Sequence, residues 1–145
     1  LDQSTIDAVM LCTCANLRKA ARTVTQVFDE AVQPVGLRAT QVTLLVAVAA
    51  RGPIPISALA EILVTDRTTL TRNLNPLERD GLLKIASGED QRTRLIQITA
   101  KVKPLWKKRY PVEQAQSKMI QELGRDSWQT LIRLLNETVS IAQKR

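Results

Sequence analysis

The sequence predicts a mainly α-helical chain interrupted by one small β-hairpin. Three observations lead there. Apolar residues recur at spacings of three and four over most of the length. Short glycine and proline clusters cut that pattern into segments. Only between residues 82 and 99 does the period shorten, to β-branched and aliphatic runs on either side of a polar tip.

Residues 6–33 (IDAVMLCTCANLRKAARTVTQVFDEAVQ) contain neither glycine nor proline and predict one long helix. Its stripe of Ile6, Val9, Met10, Cys14, Leu17, Ala21, Val24, Val27, Phe28 and Ala31 is more than a small domain can cover alone. PVGL at 34–37 ends it, because Pro34 interrupts the hydrogen-bond ladder and Gly36 accepts the left-handed conformation. The next helix, ATQVTLLVAVAARG, is apolar nearly all round through Leu44, Leu45, Val46, Val48 and Ala49, which predicts a helix enclosed by others and stopped at Gly52-Pro53. ISALAEIL at 56–63 makes two turns with Ile56, Leu59, Ala60 and Leu63 on one side.

The link Val64-Thr65-Asp66 leads into the stretch DRTTLTRNLNPLERDGLL at 66–83. LLKIA and RLIQI, separated by SGEDQRT, then form the hairpin, the only sheet expected. Thr99 is expected to cap a helical region over 100–122, in which Pro104 and Pro111 are each a first-turn residue, a kink or a break. Gly124 separates it from a last helix over 125–143, where Trp128, Leu131, Ile132, Leu134, Leu135 and Val139 repeat at helical spacing. Trp106, Tyr110 and Trp128 are read as core or subunit packing rather than as the lining of a ligand cavity.

Charge narrows the function. Lys and Arg number 21 against 14 Asp and Glu, a formal charge of +7, which permits a polyanionic partner such as nucleic acid or an anionic membrane surface. Residues 1–50 are balanced, with four charges of each sign, so the excess lies in the middle and C-terminal parts. No apolar run is long enough for a membrane span, and the first twenty residues lack the pattern of a secretory signal, so a cytoplasmic location without membrane association is expected. Cys12 and Cys14 have no second pair and no histidine beside them, so no zinc site and no other cofactor is expected. Without histidine, a glycine-rich phosphate loop or obvious paired carboxylates, little is present from which to assemble an enzyme.

The 66–83 stretch carries the chemistry. At about 100° per residue, Leu70, Leu74 and Leu77 share one side, and Thr68, Arg72, Asn75 and Arg79 fall opposite with Thr71 at the edge. Asp66 or Thr65 caps the start, placing first-turn amides beside Thr68 and Thr69, a combination suited to backbone phosphates. Arg72 and Asn75 carry the fork and amide that read base edges in a major groove. Leucines on one side with Arg, Asn and Thr on the other also describe an ordinary solvated helix. Order sets this one apart: a short helix, a three-residue link, the polar-faced helix, then a hairpin whose Arg92 tip, Arg94 and Lys84 are placed to meet phosphates or a minor groove. That is a winged helix-turn-helix. Asp90 is read as an orienting partner for the Arg92 guanidinium. Pro76 is expected to bend its helix or leave the Arg72 carbonyl to water, and KKR at 107–109 is read as a solvated face.

QVTLLVAVA (41–49), ISALAEIL (56–63), DRTTLTRNLNPLERDGLL (66–83) and DQRTRLIQIT (90–99) together resemble the MarR family of winged helix-turn-helix transcriptional regulators over nearly the full length. The resemblance implies an N-terminal dimerisation helix over 1–35, a DNA-binding lobe over 36–99 and C-terminal dimerisation helices over 100–145. It implies a homodimer on a near-palindromic duplex operator, with a recognition helix over 67–80 and a wing arginine at Arg92 supported by Asp90. It further implies a repressor released by a small aromatic or phenolic effector.

The wing departs from the family pattern. Its loop is about one residue short before Asp90, Ile85 and Thr93 replace residues that are often basic, and Val102 stands at a frequent glycine position. Cys14 falls near the cysteine of the family's organic-peroxide sensors, although the tyrosines expected with it correspond to Phe28 and Ala39. A Cys14-based peroxide-sensing repressor is therefore one alternative reading, and a winged-helix protein-interaction module is another.

Overall fold

Asp2 starts the first helix, its carboxylate accepting a hydrogen bond from the Thr5 amide at 2.8 Å, and α1 spans Gln3–Met10. The computed structural model describes residues 1–145 apart from the side chain of Tyr110. The single helix predicted over 6–33 is two. α1 stops at Leu11, Cys12 is extended, and α2 runs Thr13–Val32. Neither glycine nor proline causes the break. The Asn16 side-chain amide donates to the Met10 carbonyl at 2.8 Å, an acceptor that a continuous helix would have satisfied itself, and also to the Cys12 carbonyl at 3.0 Å, which the Asn16 backbone N–H meets as well at 3.1 Å. At the far end Gln33–Val35 tighten into a 3₁₀ turn and Gly36 takes φ +74°, as the PVGL segment predicts.

α3 (Ala39–Arg51) is fastened to α2 by the Asp29 carboxylate, which accepts from the Ala39 amide at 2.7 Å. Leu44, Leu45 and Val48 are buried, but Val46 and Ala49 face solvent in the single chain, so α3 is enclosed on one side rather than all round. Ile54–Pro55 form β1, a two-residue strand absent from the sequence reading. It is followed by α4 (Ile56–Ile62), α5 (Arg67–Arg79), β2 (Leu83–Ser87) and β3 (Arg94–Ile98). The sheet is therefore three-stranded and antiparallel in the order β1-β3-β2, with Ile54 opposite Ile96 and Leu83 opposite Ile98. Proline is tolerated in β1 because that strand is an edge.

The core lies where α3, α4 and α5 meet this sheet. Leu45, Leu59, Leu70, Leu74, Leu77, Leu83 and Ile96 are sealed from solvent there. After β3 the helical region predicted over 100–122 is broken. A 3₁₀ turn at Ala100–Val102 runs into α6 (Lys103–Trp106), with Pro104 in its first turn, and a new helix α7 (Tyr110–Leu123) starts with Pro111 in its first turn. Both prolines therefore act at helix starts, where a missing N–H costs least.

The chain forms two compact units, Leu1–Arg109 and Tyr110–Arg145. In the second, α7 packs against α8 (Arg125–Gln143), with Gly124 at φ +81° between them. Trp106 and Trp128 are half-buried, while the Tyr110 side chain lies outside the described residues. Among the described residues no single helix is long and apolar enough to cross a membrane, and no group of metal-ligating side chains comes together.

Candidate nucleic-acid interface

The turn between α4 and α5 sets how α5 leaves the body of the protein. Thr65 N–H donates to the Ala60 carbonyl at 3.0 Å and Val64 N–H to Glu61 at 3.2 Å, which closes α4 with Val64 in the left-handed region at φ +51°. A β-branched residue is strained there, and Val64 is 55% exposed, so packing returns little. Val64→Gly is expected to raise stability by about 0.5–1 kcal/mol after allowance for the freer unfolded chain, seen as a higher melting temperature. An unchanged or lower value would mean the turn carries no strain.

Asp66 caps α5. One carboxylate oxygen accepts from the Thr69 amide at 2.8 Å and the other from the Thr69 hydroxyl at 2.7 Å. These bonds, the hydroxyl's first and then the amide's, hold the carboxyl below its ordinary pKa. By residue type Thr69 groups with Thr68 as a phosphate partner, but its hydroxyl proton and its amide are both committed to the cap, and its side chain is half-buried.

The rest of α5 divides as its periodicity predicts. Leu70, Leu74 and Leu77 are 0–1% exposed. Thr68, Arg72, Asn75 and Arg79 are exposed on the other side, with Thr71 half-buried at the edge. Thr68, Thr71, Arg72 and Asn75 share an open concavity with Arg67, a residue the sequence reading misses although it begins the helix beside the cap. The helix runs on through Pro76. It ends where Gly81, at φ +74°, donates to Glu78 and Leu82 N–H donates to Leu77, both at 2.9 Å. A side chain at position 81 would be strained by that φ and would also meet Lys101 Nζ at 3.1 Å.

In the wing, Lys84 on β2 and Arg94 on β3 are exposed, and Arg92 sits in the exposed loop between them. Asp90 supports this tip differently from expectation. Its carboxylate accepts from the Arg92 amide at 3.1 Å, and its carbonyl accepts from the Thr93 amide at 2.8 Å. It thus shapes the backbone of the turn rather than aiming the guanidinium, because an aspartate reaches an amide two residues ahead with little loss of freedom. Cys12 and Cys14 are free and exposed at the α1–α2 break, outside this surface.

A family model described as the MarR family matches residues 35–93, from the last residue of the 3₁₀ turn after α2 to the residue before β3. The Mycobacterium tuberculosis transcriptional regulator MosR, crystallised in complex with DNA, is 33% identical. The match covers 92% of this chain and 97% of MosR, with a TM-score of 0.84. A second MosR structure gives 30% identity, 93% and 98% coverage and a TM-score of 0.80. The Bacillus subtilis HTH-type transcriptional regulator YwoH is 28% identical over 83 residues, which span 57% of this chain and 61% of YwoH. With the helix-turn-helix, the wing and the full-length match to MosR in agreement, the chain belongs to the MarR family of winged helix-turn-helix transcriptional regulators.

Proposed function

We propose that this protein is a sequence-specific, double-stranded DNA-binding transcriptional regulator that acts without catalytic chemistry. One observation carries the reading: α5 turns Thr68, Arg72, Asn75 and Arg79 to solvent on a helix whose opposite side is wholly buried leucine. A helix held so rigidly presents donors at a set spacing, which groove recognition requires. MosR, in its DNA complex, is the relative that lends this support. Thr68 and Thr71 with Lys84, Arg92 and Arg94 meet phosphates in this reading, Arg72 and Asn75 face the bases, and Arg79 extends the same DNA-facing side.

The regulator acts as a homodimer. Ile6, Val9 and Met10 on α1, Val24 and Val27 on α2, and Leu131, Leu134, Leu135 and Val139 on α8 are all exposed in the single chain, more apolar surface than a soluble monomer leaves uncovered. Residues 1–35 and 100–145 supply that contact, and the dimer works in the cytoplasm. Two copies of α5 then enter successive major grooves, with half-sites about 34–36 Å apart. The protein is a repressor released by a small aromatic or phenolic effector that favours a dimer with its recognition helices wrongly spaced.

Selection of bound duplexes from a random pool tests this directly. Recovery of a near-palindrome with that spacing supports the reading. Recovery of no motif, together with tight binding to a protein bait, would instead favour a protein-interaction module. Replacing Arg92 by alanine is expected to lower the slope of log affinity against log salt by about one unit if it meets one phosphate. An unchanged slope removes it from that role.

The exposure of Cys12 and Cys14 favours a second reading of the same regulator, in which thiol oxidation rather than a ligand releases the DNA. Stoichiometric hydroperoxide should then weaken operator binding by wild type and spare Cys14→Ser. Equal binding before and after oxidation ends that reading.

A further inference from the structure

Thr99 stands at the N-cap position of the Ala100–Val102 turn, where a threonine is expected to cap the helical residues after it. Its side chain makes no such bond. The hydroxyl instead points back and donates to the Gly81 carbonyl at 2.5 Å, while the Thr99 amide donates to the Leu82 carbonyl at 3.0 Å. The amides of these same two residues close the end of α5. One turn is therefore held from both sides: its N–H groups by the carbonyls of α5, its carbonyls by Thr99. Lys101 lies over the same glycine.

The location of this seam gives it a function beyond stability. Gly81 is where the recognition helix ends, and Thr99 is the first residue after β3, the strand that returns from the wing tip. On the reading that α5 and the wing both touch DNA, on which this inference rests, Thr99 joins the exits of the two DNA-contacting parts. Each part contacts the duplex at a different place, so operator recognition requires their mutual placement to be fixed. We propose that Thr99 is a positioning residue for operator recognition, its hydroxyl locking the end of the recognition helix to the base of the wing. The hydroxyl is half-buried, and valine fills the same shape with no donor. Thr99→Val thus leaves the Gly81 carbonyl without its partner and frees the turn to shift.

The experiment uses Thr99→Val, Thr99→Ser and the wild type as full chains, read by duplex titration and by amide hydrogen exchange without DNA. Thr99→Val should bind the selected operator about tenfold more weakly, with a much smaller loss on random duplex, and Thr99→Ser should restore discrimination. In the free protein, Thr99→Val should speed exchange at Gly81 and Leu82 and leave α3 unchanged. Wild-type discrimination by Thr99→Val overturns the proposal, as does an equal loss on operator and random duplex. Unchanged exchange at Gly81 and Leu82 overturns it whatever the DNA result. If exchange does rise but the wild type itself prefers no duplex, the lock stands as a structural element and it is the DNA-binding reading that fails.

Discussion

Leu74→Ala is expected to lower the stability of the protein by about 2–5 kcal/mol, measured by urea denaturation. Leu74 is completely buried at the middle of α5, between Leu70 and Leu77, where α5 packs on α3, α4 and β2. Truncation removes three carbons from a site whose walls belong to other elements, so collapse fills the void only partly. Set against a typical domain stability of about 5–15 kcal/mol, the loss is a large share. Operator binding should fall with it even in conditions where the variant remains folded, because the leucines hold the polar side of α5 in a single orientation. A loss under about 1 kcal/mol would show that α5 does not depend on this packing.

Arg72→Ala should act on recognition and leave stability almost untouched. Arg72 lies in the open concavity with Thr68, Thr71 and Asn75, exposed and on the side of α5 away from the leucines. If its guanidinium makes a paired contact to a base edge, the substitution costs operator binding about 1–3 kcal/mol and flattens discrimination at one position in each half-site. An exposed site of this kind usually changes folding stability by no more than about 0.5 kcal/mol, which separates this variant from Leu74→Ala. Equal losses on operator and random duplex would make Arg72 a phosphate ligand. No loss on either would remove it from the interface.

Sequence and structure differ at several positions of the wing and of the helix ends, and they differ for one kind of reason. Residue type alone assigns Asp90, Thr69 and Thr99 a partner each: a guanidinium, a phosphate and a helix start. Each instead bonds to a nearby group that the folded backbone brings within reach: the Arg92 amide, the Asp66 carboxylate and the Gly81 carbonyl. A short polar side chain takes the partner that costs it least freedom, and that partner is known only once the turn around it is formed. Arg67 escapes notice in the sequence because it reads as an ordinary first-turn residue until the concavity beside it is seen.

The sequence by itself determined the order of short helix, link, polar-faced helix and hairpin over residues 56–99, the burial of Leu70, Leu74 and Leu77, the stop at Gly81 and the polar side of α5, and it narrowed the cap of α5 to Asp66 or Thr65. All of these follow from periods and cap chemistry within a few neighbouring residues. Only the tertiary structure decided the rest. At the α1–α2 break an asparagine folds back onto the Met10 carbonyl at the end of α1, and in β1 Ile54 finds Ile96 across the sheet. Likewise, the exit of α5 is tied to a threonine 18 residues away. Local spacing carries no record of such partners, since packing brings them together only after the elements have formed.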